Sequence, residues 1–163
     1  MLKNINKNIK ILYVEDDEIA RENGIEYLQN FFEQIYEASD AIKALQLYEK
    51  YQPDIIITDI QMPKLNGLEF VKRIRQKDKK TQIIIITAFC DKDYLLKAIE
   101  LGLVKYLVKP VCEKEFEEAL FLCVNSLQNN ESNIIKLDEN SYFDIFNKNL
   151  LINEEIIKLR SEE

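Results

Sequence analysis

The run Ile55-Ile56-Ile57-Thr58-Asp59 constrains this chain more than any other stretch. Unbroken β-branched residues suit a strand covered on both faces, because a strand with one wet face alternates apolar and polar residues. The run ends abruptly in a carboxylate, and Pro63 soon afterwards stops any continuation as strand or helix. A buried strand that delivers one acid at its carboxyl end fits an open α/β sheet, where ligands gather beyond the strand ends at the point of strand-order reversal. Gln82 to Thr87 repeats the pattern and ends in a hydroxyl.

The flanking sequence fills in the repeat. Ile9 to Val14 reads as a strand, and Glu15-Asp16-Asp17 follows it without a spacer. Asp17 suits the cap of a helix over Glu18 to Phe32, with Ala20, Ile25, Leu28 and Phe32 facing inward and Asn23-Gly24 as a weak point. Glu15 and Asp16 are surplus to that cap. Gln34 to Ala38 is a short strand, and Ser39 or Asp40 starts a helix that Gln52-Pro53 ends. After the Asn66-Gly67 turn, Leu68, Val71 and Ile74 form one apolar stripe, with Lys72, Arg73 and Arg75 as a basic edge and residues 76–80 as a solvated loop. Asp91 to Leu101 is a helix closed by Gly102, Val104 to Val108 a strand ending at Lys109-Pro110, and Glu113 to Leu127 the last long helix. Five strand–helix repeats with short loops predict a doubly wound parallel sheet of flavodoxin-like type, in the order 2-1-3-4-5, with helices on both faces.

Composition narrows the function classes. A length of 163 residues allows one full domain and a fragment of a second. A net charge of −7 argues against nonspecific binding to nucleic acid or membrane surfaces, and no apolar run approaches spanning length. Cys90, Cys112 and Cys123 form no paired motif, so reduced thiols and a cytoplasmic location are expected. Histidine is absent, which removes His-based catalysis and His-containing metal sites.

Four strand ends remain to be explained: Glu15 and Asp16, Asp59, Thr87, and Lys109. In a 2-1-3-4-5 sheet the first and third strands are neighbours, so their carboxylates meet. Like charges in one cleft raise each other's pKa unless a cation lies among them. Carboxylates, a carbonyl and water suit a hard divalent ion such as Mg²⁺. Lys109 and Thr87 can then receive a second anion. The set describes a place that accepts a phosphoryl group, with Asp59 as the nucleophile.

The motifs Val14-Glu15-Asp16, Thr58-Asp59-Ile60-Gln61-Met62-Pro63, Asn66-Gly67, Thr87-Ala88 and Tyr106-Leu107-Val108-Lys109-Pro110 resemble the two-component response-regulator receiver domain over residues 8–128. The resemblance implies phosphotransfer from a sensor histidine kinase to Asp59. It places Mg²⁺ on Asp16, Asp59 and the Gln61 carbonyl, with Glu15 acting through water, and a cis peptide before Pro110. It implies a switch in which the Thr87 hydroxyl moves inward and Tyr106 fills the space, altering the surface of the fourth helix, fifth strand and fifth helix. Gln61 and Phe89 occupy the positions that tune phosphoryl lifetime, and a bulky Phe89 predicts a long-lived phosphorylated state. Such a domain catalyses only its own phosphorylation and dephosphorylation.

Departures from the family pattern concern assembly. The fifth helix has Lys114 but no Arg, so the acid–Arg pairs of the winged-helix transcription-factor branch cannot form; Leu103, Val104 and Phe121 suit a drier homodimer contact. Residues 129–133 are expected to link to a small antiparallel β meander over residues 134–163. That tail resembles the opening sheet of a winged-helix effector domain, most of which would be absent. From Asn129 onward four basic residues stand against eight acids, so DNA would be reached only through the missing part. A stand-alone receiver and a phosphorylation-independent protein-binding scaffold are the alternatives. A haloacid-dehalogenase-type phosphatase needs an acid where Gln61 stands, and a flavodoxin-type cofactor binder needs a phosphate loop after the first strand.

Overall fold

The structure is a computed structural model that describes residues 2, 5–88 and 91–129, and the backbone of 134–136, 141–144, 149–152 and 155–158. Phe89, Cys90 and residues 130–133 of the expected linker lie outside the described residues. The chain divides into two compact units, Met1–Val124 and Asn125–Glu163.

In the first unit, strands β1 (Lys10–Val14), β2 (Gln34–Ala38), β3 (Ile55–Thr58), β4 (Gln82–Thr87) and β5 (Lys105–Val108) form one parallel sheet in the order β2-β1-β3-β4-β5. Between them run α1 (Glu18–Gln29), α2 (Ala41–Tyr51), α3 (Gly67–Arg75) and α4 (Lys92–Glu100), and α5 (Glu113–Asn129) follows β5. This is the expected doubly wound, flavodoxin-like topology. All four residues of β3 are buried, which accounts for its three consecutive isoleucines; each such side chain contributes about 1.5–3 kcal/mol when fully covered. Leu12, Val14, Ile56 and Ile85 share one core cluster with Phe70 and Val71 of α3.

Local chemistry sets the helix ends. The carboxylates of Asp17, Asp40 and Asp91 and the amide oxygen of Asn66 accept backbone N–H groups in the first turns of α1, α2, α4 and α3. Helix α1 stops at Gln29, short of the expected Phe32, because Asn30 closes it with side-chain bonds to the Glu26 and Tyr27 carbonyls. Phe32 is buried beyond the helix end all the same. Gly102 adopts φ +70° after α4, as a closing glycine should.

Two charged residues do more than the sequence suggested. Arg75 leaves the basic edge of α3 and donates to the carbonyls of Leu101 at 2.7 Å and Gly102 at 3.1 Å, tying α3 to the end of α4. In the loop before β4, Asp78 accepts from the Tyr48 hydroxyl at 2.8 Å, the Lys80 amide at 2.8 Å and the Thr81 amide at 3.1 Å, and also from the Thr81 hydroxyl.

In the second unit, β6 (Ile134–Lys136), β7 (Ser141–Asp144), β8 (Asn149–Ile152) and β9 (Glu155–Lys158) pair antiparallel in sequence order. Residue 129, the expected first linker residue, is the last residue of α5.

Candidate functional site

The site assembles at the carboxyl ends of the strands. Val14 pairs with Thr58, so Glu15 and Asp59 leave adjacent strands side by side, and the Asp59 amide donates to the Val14 carbonyl at 3.2 Å. Both acids are buried, Glu15 at 3% and Asp59 at 6% exposure, whereas Asp16 is exposed. Carboxylate oxygens of all three lie within 4.8 Å of one another. On the other side, Thr87 pairs with Val108, and the Lys109 amide donates to the Thr87 carbonyl at 2.7 Å, which brings the lysine stem alongside the acids. The Lys109–Pro110 peptide is cis.

Lys109 is the electrostatic keystone. Its ammonium donates to Glu15 Oε2 and to Asp59 Oδ2, each at 2.7 Å. Burial works against its charge, but the bonds to Asp59 and Glu15 outweigh it and hold the ammonium well above the usual lysine range. Glu15 moves the other way. Burial raises its pKa, the Asp59 charge adds to the rise, and Lys109 with the Asp17 amide only partly offsets it. Two buried carboxylates therefore share one cation, a surplus of negative charge that a further cation would relieve. In this arrangement Lys109 serves the acids themselves, where the sequence suggested an incoming anion as its partner.

The remaining predicted residues surround this core. The Gln61 amide donates to Asp59 Oδ1 at 3.1 Å, and the Gln61 side chain is exposed. Thr87 is fully buried at the end of β4, and Ala88 beyond it is exposed, as is Pro110. Tyr106 is half-buried and packs against the core cluster from β5.

Three residues matter here in ways that sequence reasoning did not foresee. Gly67 is more than a turn residue, since a Cβ there would lie 1.8 Å from the Asp59 carbonyl oxygen, so only glycine permits α3 to start against the acid's backbone. Tyr13 is buried under the site, and burial followed by the Glu15 charge pushes its hydroxyl up to about 12. Gly24 lets α1 cross that ring, because a Cβ would meet the Tyr13 hydroxyl at 2.4 Å. A glycine inside a predicted helix was the available signal, and its partner in β1 was not.

With this geometry in hand, similarity to known proteins becomes interpretable. Residues 11–121 match the response regulator receiver domain. An uncharacterized response regulatory protein of Staphylococcus epidermidis is 34% identical over 121 residues, covering 72% of this chain and 47% of that protein. The transcriptional regulatory protein BtsR of Escherichia coli is 37% identical, covering 69% of this chain and 46% of BtsR. Among solved structures, the N-terminal domain of an uncharacterized protein from Wolinella succinogenes superposes with a TM-score of 0.70 at 39% identity, covering 76% of this chain and 99% of that one. A response regulator receiver domain protein from Clostridium thermocellum gives 0.69 at 27% identity, covering 74% and 97%. The fold is that of a receiver, and this chain belongs to the response regulator receiver domain family. Its class is that of the phosphoryl acceptors of two-component signalling, which work with sensor histidine kinases. The chain spans about half the length of the curated relatives it matches. Among the described residues, no helix is long and apolar enough to cross a membrane.

Proposed function

We propose that Asp59 is the phosphoacceptor of this receiver and that phosphorylation there drives its output. The observation that carries the assignment is the Lys109 ammonium bonded to both Glu15 and Asp59, with Asp16 at the open side of the same cluster. Attack by an Asp59 carboxylate oxygen on a phosphohistidine phosphorus would form the acyl phosphate as the P–N bond breaks, the imidazole leaving with the electron pair. Lys109, freed from part of its ion pairing, would hold a phosphoryl oxygen, with the Thr87 hydroxyl as a second donor. The donor set fits Mg²⁺: Asp16, Asp59 and the Gln61 carbonyl would hold it, with Glu15 through water, and the ion would neutralise charge on the transferring group. In this reading the domain catalyses only its own phosphorylation and dephosphorylation. Intact-mass spectrometry after acetyl phosphate and Mg²⁺ should show a single phosphoryl adduct on the wild type and none on Asp59→Asn. An unmodified wild type that also fails to bind Mg²⁺ would favour a protein-binding scaffold.

The output surface we assign to α4, β5 and α5. Leu96 and Ile99, Val108, and Phe121 and Leu122 expose apolar area on these elements, which suits a homodimer contact that forms when Thr87 and Tyr106 rearrange. Gel filtration should show a larger species on phosphorylation; a monomer under both conditions rejects this contact. Transcription control through a winged-helix effector is the output we infer. Relatives named as transcriptional regulators and the antiparallel strands β6–β9 support it.

A further inference from the structure

Beside the acid cluster, and sharing Glu15 and Lys109 with it, a cavity of about 390 Å³ opens between α1, α5 and the ends of β1 and β4. Its size falls at the lower end of small-molecule pockets, which run about 300–1,000 Å³. Three aromatic rings line it: Tyr13, Tyr27 and Phe116. Tyr27 and Phe116 stand 5.3 Å apart at 34°, splayed rather than stacked flush, and Phe31 packs edge-on against Tyr27 at 5.4 Å and fixes its orientation. A glycine inside a helix costs about 1 kcal/mol relative to alanine; here Gly24 leaves the room in which the Tyr13 ring forms one wall.

The charges around these rings are unbalanced. Glu15 and Glu113 line the cavity along with Lys109, whose ammonium is already bonded to two carboxylates. The Tyr27 hydroxyl is buried and has no hydrogen-bond partner, alone in this among the described side chains. Its proton is held more tightly than usual, by burial first and then by the nearby charges of Glu117 and Glu113. Faces of aromatic rings carry negative quadrupole charge, and a ring set flanked by carboxylates attracts organic cations. A neutral apolar guest would leave the tyrosine hydroxyl orphaned and would make no use of the Glu113 charge at the cavity wall. A second copy of a helix or strand is too large for the space.

We propose that the Tyr13–Tyr27–Phe116 cavity binds a small organic cation, an alkylammonium or trimethylammonium headgroup on a short chain, against Glu113. A hydroxyl or N–H of the guest would donate to the orphaned Tyr27 oxygen.

The test is a calorimetric and amide-NMR titration of the full chain with choline, beside 3,3-dimethylbutan-1-ol, in which carbon replaces the charged nitrogen. Ionic strength is held constant. Choline should bind about tenfold more tightly than the alcohol, with shifts centred on Tyr13, Tyr27 and Phe116. Tyr27→Leu and Glu113→Gln should each weaken choline about fivefold. Glu113 lies on the exposed first turn of α5, so the second variant keeps the fold even if the first does not. Equal affinity for both probes, no saturable choline binding, or choline affinity unchanged by Glu113→Gln would overturn the proposal. The readout is binding alone, so its failure leaves the assignment of Asp59 untouched.

Discussion

The two edges of the parallel sheet both carry hydrogen-bonded carboxylates, and they treat them in opposite ways. At the amino-terminal edge, Asp78 is saturated by hydroxyls of Tyr48 and Thr81 and amides of Lys80 and Thr81. Burial opposes its charge, yet the Thr81 hydroxyl and the other donors prevail and hold the carboxyl down at about 2. Asp54, on the same edge, accepts the Lys10 amide at 2.9 Å and stitches β1 to β3. At the carboxyl-terminal edge, Glu15 and Asp59 divide a single ammonium, and the Glu15 carboxyl is displaced upward. One edge spends its acids on stability. The other leaves two buried acids sharing one ammonium, a surplus of negative charge that a further cation would relieve.

The carboxyl-terminal edge depends most directly on Lys109. Removing one partner of a buried ion pair costs about 3–5 kcal/mol; this side chain is 32% exposed and water screens it, so Lys109→Ala should lose about 2 kcal/mol in urea unfolding. Unchanged stability would mean that the acids are not held together by the lysine. At the opposite edge, Asp78→Asn should cost about 1 kcal/mol near neutral pH. The Asp78 pKa is depressed from 3.8, so its stabilisation is present above about 3.8 and fades as pH falls toward about 2. Acid unfolding of the variant should lack that part of the pH dependence; an identical acid limb would remove Asp78 from the account. The smallest effect is expected for Glu15→Gln, and its sign is opposite. A carboxyl with a raised folded pKa contributes stability at low pH that is lost as pH rises through that value. Without divalent ions the glutamine variant should be more stable than wild type at neutral pH and flatter in its pH dependence. A less stable variant would show that the Glu15–Lys109 bond outweighs the burial of the charge.

Much of this architecture was legible because it depends on local chemistry. Asp59 and Thr87 announced themselves as polar endings of buried apolar strands, and Asp17, Asp40 and Asp91 fell where helices need their first amides capped. The reading failed where a residue's partner is distant in sequence. Residues 76–80 looked like a solvated loop because Lys77, Lys79 and Lys80 are charged and exposed, yet Asp78 among them finds Tyr48 thirty residues away. Arg75 belonged to a basic edge by helical spacing, but the carbonyls it caps lie 26 and 27 residues further on. The overlong α1 had a smaller cause, because apolar periodicity continues to Phe32 while Asn30 has already bonded the last carbonyls.

By itself, then, the sequence determined the alternation of strands and helices, the parallel sheet and the set of acids, hydroxyl and lysine at the strand ends. Periodicity and strand endings are properties of neighbouring residues, and neighbours are what a sequence displays. Tertiary structure alone decided that Lys109 serves Glu15 and Asp59 together, and that Gly67 must lie against the Asp59 carbonyl. It alone brought Tyr13, Tyr27 and Phe116 around one cavity. These depend on distances between elements far apart in the chain, set by how the helices pack on the sheet.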